Sequence, residues 1–224
     1  KADYKKPYYI HVDSQIERDL RLHEASKEPE TVEWIENTFR KGDVFYDIGA
    51  NVGSFSLIAF RAFAAEIGVY AFEPSIMNFP QLSRNIHLND ADRHIFPFQV
   101  ALSNQTGTTT FHYHNLDSGG ALHALDEPFN WRGDPFQPVR SAPTISYRLD
   151  DFVTQFELPV PNHIKIDVDG PEFKILQGAE DTLKSSQMRS LMIETFDEGE
   201  DFSAIEKILK NCGFTLQTKI AANY

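Results

Sequence analysis

With 224 residues, 41% of them hydrophobic and 24% charged, the chain can bury one well-formed core, and a single domain over 1–224 is expected. Lys and Arg number 21 against 33 Asp and Glu; the net charge of −12 argues against a nucleic-acid footprint and favours a small or neutral substrate. No apolar run reaches the roughly 18 residues a membrane helix requires, and the lone Cys212 builds neither a disulfide framework nor a cysteine-rich metal site, so a reducing, cytoplasmic compartment is expected.

The chain opens at Lys1 without an initiator methionine, which leaves an upstream segment or targeting signal open. Residues 1–28 read as an N-terminal arm with a strand-like run from Tyr8 to Val12. Thr31 to Arg40 is a predicted helix: Pro29 precedes it, Thr31 can cap it, and Val32, Ile35 and Phe39 share a face. Val44 to Asp47 is a short apolar strand, followed by a glycine-rich turn and an apolar helix from Ser54 to Ile67, stopped by Gly68. Val69 to Glu73 is a second strand, and a helix from Phe79 to Leu88 carries Pro80 in its first turn. Ile95 to Ala101 is a third strand; Pro97 removes a ladder donor and so places it at a sheet edge. Residues 107–152 break the rhythm. They combine β-prone runs (Thr108 to Tyr113, Thr144 to Tyr147) with an irregular stretch, Asp117 to Pro143, and are expected to form a lid. Ile164 to Val168 is a fourth strand with a helix opening at Pro171, and Leu191 to Phe196 a fifth, followed by a helix from Phe202 to Asn211 that Gly213 ends. Strands alternating with helices at short spacing give an α/β fold with a largely parallel sheet covered on both faces, here with a β-rich insertion between strands 3 and 4.

In Phe45-Tyr-Asp-Ile-Gly-Ala-Asn-Val-Gly53 an apolar strand ends in an acid and passes through a tight turn into a helix. Gly49 and Gly53 tolerate positive φ, as does Asn51, and the missing side chains let a ligand approach the backbone. A dinucleotide fingerprint needs glycine at the first, third and sixth positions, yet counting from Gly49 the third is Asn51 and the sixth Ser54. The acid-led form, with Asp47, looks instead like motif I of the class I methyltransferases. One βα unit later Glu73 closes the second strand, where a carboxylate can accept both hydroxyls of a ribose, and Glu73-Pro74 looks like motif II. Asp47 as a helix cap and Glu73 as a solvated strand end are the plainer alternatives.

Asp-Ile-Gly-Ala-Asn-Val-Gly53, Phe-Glu-Pro74, Ala101-Leu-Ser103, Ile164-Lys-Ile-Asp-Val-Asp-Gly-Pro-Glu172 and Leu176-Gln-Gly-Ala179, in that order, make the chain resemble the FkbM family of methyltransferases from about Pro29 to Phe214. The resemblance implies a Rossmann-like fold, S-adenosyl-L-methionine as cofactor, and O-methylation of a hydroxyl on a sugar, glycan or polyketide-like molecule. It implies cofactor contacts from Asp47, Gly49, Ala50, Asn51, Gly53, Glu73, Ser75 and Ala101; Ala101 and Leu102, at the end of the third strand, either wall the adenine or are plain core residues. Two departures stand out. The family often has Glu and Ala where this chain has Asp169 and Pro171, and only ten residues follow Phe214, enough for one strand of the fold's usual closing hairpin.

Methyl transfer to a hydroxyl rests mostly on positioning, with a base to take the proton. On the fourth strand, Lys165, Asp167 and Asp169 share the face opposite Ile164, Ile166 and Val168. Lys165 needs a carboxylate partner there. Asp169 either caps the next helix or joins Asp167 as a catalytic residue; for Asp167 the resemblance implies a functional role, as a cofactor-amine contact, a substrate ligand or the base. Paired acids also suit a divalent metal, but no Asp-Asn pair follows the fifth strand, Glu194 and Asp197 being the nearest acids, so no metal is expected. His112, His114, His123 and His163 are further base candidates, and Phe111, Tyr113, Phe129, Trp131 and Phe136 either stack on a sugar or pack a core. A nicotinamide oxidoreductase and a non-catalytic cofactor-binding module are the competing functions.

Overall fold

The computed structural model describes residues 1–130, 132–195 and 200–219. Its central sheet is parallel throughout: β1 (Val44–Ile48), β2 (Gly68–Phe72), β3 (Ile95–Phe98), β8 (His163–Ile166) and β9 (Ser190–Ile193), in the order β3-β2-β1-β8-β9. Side chains alternate along β1, so Phe45 enters one core and Tyr46 and Ile48 the other. The first core is closed by α3 (Pro29–Thr38), α4 (Ser54–Ala62) and α5 (Asn78–Leu88), through Ile35, Leu57, Ile58, Leu82 and Ile86. The second is closed by α6 (Leu149–Gln155), α7 (Glu172–Gln177), α8 (Glu180–Leu183) and α9 (Glu200–Asn211), through Phe152, Ile175, Leu176, Leu183 and Ile205. With both faces covered, strands of unbroken apolar character are what the burial requires.

A second sheet grows from the insertion: β4 (Ala101–Leu102), β5 (Gly107–Tyr113), β6 (Ala124–Leu125) and β7 (Arg140–Tyr147), ordered β4-β7-β5-β6. The third strand is therefore not continuous to Ala101. The chain leaves the central sheet after Phe98 and re-pairs at Ala101 with Ser146 of β7. Pro97 does lie on an edge strand, opposite Ala71. Gly178 packs so closely on the Ser103 carbonyl that a Cβ would lie 2.1 Å from its oxygen, which explains the glycine in Leu176-Gln-Gly-Ala179.

Other boundaries differ. Tyr8 to Val12 forms no strand; the amides of Tyr9 and His11 donate to the side chains of Asn89 and Asn85 at 2.9 and 2.8 Å. Buried Tyr8 and Ile10 explain its apolar pattern. Pro29, not Thr31, opens α3, and the Thr31 hydroxyl faces Met192 Sδ at 3.3 Å. The helix after Ser54 stops at Ala62, because Ala64 and Ala65 take left-handed φ of +51° and +67°. Gly68 begins β2 rather than ending that helix. The fifth strand spans Ser190–Ile193, and its expected end at Phe196 lies outside the described residues, as do Trp131 and Asp197. No helix among the described residues is long and apolar enough to cross a membrane.

Candidate active site

Beyond Ile48 the chain turns at Gly49 (φ +82°), and the amides of Gly49 and Ala50 both donate to the Phe72 carbonyl, at 3.0 and 3.1 Å. A Cβ on Gly49 would lie 1.8 Å from the Asp167 carbonyl oxygen, so only glycine lets the loop pass against the end of β8. Asn51 (φ +51°) directs its amide to Glu73 Oε2 at 2.8 Å, and the Ser75 amide donates to Glu73 Oε1 at 2.9 Å. Glu73 is only 5% exposed. Burial pushes its carboxyl up to about 7, against the pull of those two amides. Each oxygen keeps a lone pair for a further donor.

Beside this loop β8 delivers Lys165 and, just past its end, Asp167. Lys165 is buried, 4.8 Å over the Phe55 ring, and its Nζ lies 2.6 Å from Asp167 Oδ2. Burial opposes both charges, yet each favours the other: Asp167 is held well below the usual carboxylate range by Lys165 and by a hydrogen bond with Glu194, and Lys165 is held above its usual range by Asp167, Glu28 and Asp47. Asp169 has a left-handed φ of +63° and accepts the Leu122 amide at 2.7 Å. Burial and the neighbouring Asp167 raise its carboxyl. It does not cap α7; Pro171 occupies that position. Glu172, accepting the Gly170 amide at 2.9 Å, is pushed up to about 7 by burial, opposed by backbone hydrogen bonds.

Gly49, Asn51, Glu73, Ala101, Asp167 and Asp169 all line one cavity of about 560 Å³ outside the carboxyl ends of the strands. Asp47, Ala50, Gly53 and Ser75 do not line it. Asp47 is buried beneath the loop with its Oδ2 accepting the Ser56 hydroxyl at 2.6 Å, and Gly53 stands at the N-cap of α4. Ala50 packs in the core, and Ser75 Oγ accepts the amides of Met77 and Asn78 at 3.1 and 3.3 Å, opening α5. Among the described residues no three His, Cys, Asp or Glu side chains converge as a metal cage.

Residues of the arm and of the insertion also line the cavity, and hydrogen bonds join the two segments. α1 (Gln15–Asp19) opens at Ser14, whose hydroxyl donates to the Ser118 carbonyl at 2.6 Å, while the Ser118 hydroxyl donates to Glu17 Oε1 at 2.6 Å. Arg21 donates through Nε and Nη2 to the Gly119 carbonyl at 3.0 and 2.9 Å. From the glycine turn and α5, Asn51 and Asn78 donate to the Gly120 carbonyl at 2.9 and 3.0 Å. Arg21, Glu28, Asn78 and Gly120 line the cavity and were not singled out from sequence, because each acquires its role only through a partner far along the chain. Of the histidines, His163 lies at the opposite end of β8, bonded to Asp43 and Ser190 at 2.8 and 2.7 Å and stacked on Phe39. His112 bonds Ser141 Oγ, His114 is exposed, and only His123 lines the cavity.

The Methyltransferase FkbM domain matches residues 47–216. Among similar proteins, Hexuronic acid methyltransferase AglP of Haloferax volcanii is 25% identical over 87% of this chain and 72% of its own length. The 31-O-demethyl-FK506 methyltransferase FkbM of Streptomyces tacrolimicus is 27% identical over 79% and 74%. The crystal structure of methyltransferase FkbM from Methylobacillus flagellatus KT superposes with a TM-score of 0.55 at 16% identity, covering 79% of this chain but 39% of that one. Aeropyrum pernix fibrillarin, solved with S-adenosyl-L-methionine, gives 0.50 at 11% identity over 87% and 69%. These two likenesses establish the fold, a Rossmann-like methyltransferase architecture. A family match over most of the chain establishes the rest: the protein belongs to the FkbM family of methyltransferases.

Proposed function

We propose that the protein uses S-adenosyl-L-methionine to methylate a hydroxyl oxygen of a sugar, glycan or related small molecule. The observation that carries this is the convergence of the Gly49 turn, Glu73 and Asp167 on one cavity. Around it the charged residues are Glu28, Glu73, Asp167, Asp169 and Glu194 against Arg21 and Lys27. Such a lining suits a cofactor with a sulfonium and an ammonium and disfavours a nicotinamide dinucleotide, whose pyrophosphate would meet carboxylates. Buried Glu73 offers its remaining lone pairs to ribose hydroxyls, and the close-packed Gly49 turn leaves backbone free to meet the amino-acid end.

When bound, the cofactor supplies an activated methyl for in-line transfer. The chain supplies position and a proton acceptor. Asp167, kept ionised by Lys165, is suited to hold an ammonium and poorly suited to take a proton. Asp169, its carboxyl raised by burial and by neighbouring Asp167 and oriented by the Leu122 amide, is the better base for the acceptor hydroxyl. The arm (1–28) and the insertion (107–152) together roof the same cavity and shield it from water, as parts of one catalytic unit. The AglP likeness makes hexuronic acids the first acceptors to try.

The test is production of S-adenosylhomocysteine by the purified protein with a panel of sugars, hexuronic acids and glycans. Acceptor-dependent product is expected, and Asp169→Asn should slow it about 10²- to 10⁴-fold. Cofactor binding with no turnover on any acceptor would instead favour a non-catalytic module of the same fold.

A further inference from the structure

Among the described residues that line the cavity, Asn51 Oδ1 and His123 Nε2 are buried without a hydrogen-bond partner, and of the two atoms only the imidazole nitrogen can donate. The His123 ring is 8% exposed, lies 5.5 Å edge-on from Phe111 and 5.3 Å from Tyr113, and lines the cavity. Nδ1 accepts the His114 amide at 3.2 Å. A ring nitrogen that accepts an N–H carries no proton of its own, so in the neutral ring the proton sits on Nε2. That Nε2 is buried and has no hydrogen-bond partner among the described residues. A buried donor left without an acceptor is costly, and such exceptions in folded proteins call for an explanation. Burial, with the nearby His114 contributing, lowers the imidazole to about 4, so the ring is neutral at physiological pH and offers a fixed donor rather than a base.

Its surroundings narrow the acceptor. The neighbouring Tyr113 hydroxyl accepts the Ile76 amide at 3.1 Å, which ties this corner to the turn that follows Glu73. Apolar Val100, Ala101, Leu102 and Phe111 line the same cavity. A ribose held at Glu73 carries its base one glycosidic bond away, and a planar heterocycle with acceptor nitrogens is what apolar walls and a single donor would suit. We propose that His123 is a cofactor-recognition residue whose Nε2–H donates to a ring nitrogen of the adenine. This rests on S-adenosylmethionine being the cofactor and adds a base-specific contact to it.

Titration calorimetry with S-adenosylhomocysteine and its 1-deaza, 3-deaza and 7-deaza adenine analogues tests the contact. Each analogue replaces one acceptor nitrogen by C–H. The wild-type protein should bind one of the three about 5- to 10-fold more weakly than the parent compound, the effect of one lost hydrogen bond. His123→Phe should bind that analogue and the parent equally, and His123→Gln, which keeps a donor, should recover part of the discrimination. A merely structural histidine would weaken all four ligands together and leave the ratios unchanged. The proposal is overturned if wild type is indifferent to all three replacements, or if His123→Phe discriminates as wild type does. Absence of any binding of the parent compound would instead overturn the cofactor assignment, and this contact with it. Should His123→Phe not fold, nitrogen-15 spectra of the wild-type histidines decide: the His123 Nε2–H signal should move on adding the parent ligand and not on adding the discriminated analogue, and an equal response to both refutes the contact.

Discussion

Gly49 shows how a single missing side chain shapes the site. The 1.8 Å between a Cβ built there and the Asp167 carbonyl, together with φ of +82°, means that Gly49→Ala must displace either the loop or β8. A cost of order 1–3 kcal/mol in folding stability is expected from the backbone strain alone. Urea denaturation beside cofactor titration checks it; an alanine variant with unchanged stability and affinity would mean the turn is looser than described. The buried acids make a pH prediction. Glu73 and Glu172, raised to about 7, bind protons in the folded state that the unfolded chain has released, so their effect on stability is favourable at low pH and fades as pH rises through about 7. Glu172→Gln should therefore flatten the decline in melting temperature between about pH 5 and pH 8, by roughly 2–4 °C for each kcal/mol involved. A variant whose profile matches wild type would place Glu172 in a more hydrated setting. At this scale the backbone of the turn was legible, since Gly49 and Asn51 take the positive φ that their residue types tolerate. Asp47 was visible but ambiguous, and its carboxylate is turned to Ser56 rather than to the cavity. Asp169 lines the cavity and does not take the capping alternative, its left-handed backbone directing the carboxylate to the Leu122 amide.

At the scale of elements, β8 carries a buried lysine that its apolar neighbours tolerate only because acids surround it. Lys165→Met would leave Asp167 without its counter-ion, with Asp47 and Glu28 nearby, and is expected to destabilise the fold by about 3–5 kcal/mol. Asp167→Asn, less buried and still able to accept from Lys165, should cost less; chemical denaturation of the two variants side by side would show it, and the reverse order would contradict the account. The roof has its own test. Arg21→Gln removes two donors from the Gly119 carbonyl, and should speed proteolysis within residues 117–122 and weaken cofactor binding several-fold, about what one or two lost hydrogen bonds produce. Equal cleavage rates in variant and wild type would show that the arm does not hold the insertion. Strands flanking motifs were legible because alternation and length mark them. The break between β3 and β4 was not: Ile95 to Ala101 is apolar but for Gln99, and nothing local says that Ala101 pairs with Ser146 in another sheet. Likewise Tyr8 to Val12 is apolar because it packs on the core, with asparagine side chains taking the place of a partner strand.

For the molecule as a whole, βα alternation announced the layered parallel sheet, while the central order β3-β2-β1-β8-β9 is what the fold adds. What the pattern could not announce was which residues tie the insertion to the arm and the glycine turn, since Ser14 and Ser118, or Asn51 and Gly120, meet only once the chain has folded. The net charge of −12 is expressed at the site too, where carboxylates outnumber cations. Titration calorimetry of the purified protein with S-adenosylhomocysteine and, separately, with NAD addresses the central claim most directly. Saturable heat is expected with the first, none with the second, and loss of the first in Glu73→Ala. Heat with NAD alone, or S-adenosylhomocysteine binding that Glu73→Ala leaves untouched, would contradict it.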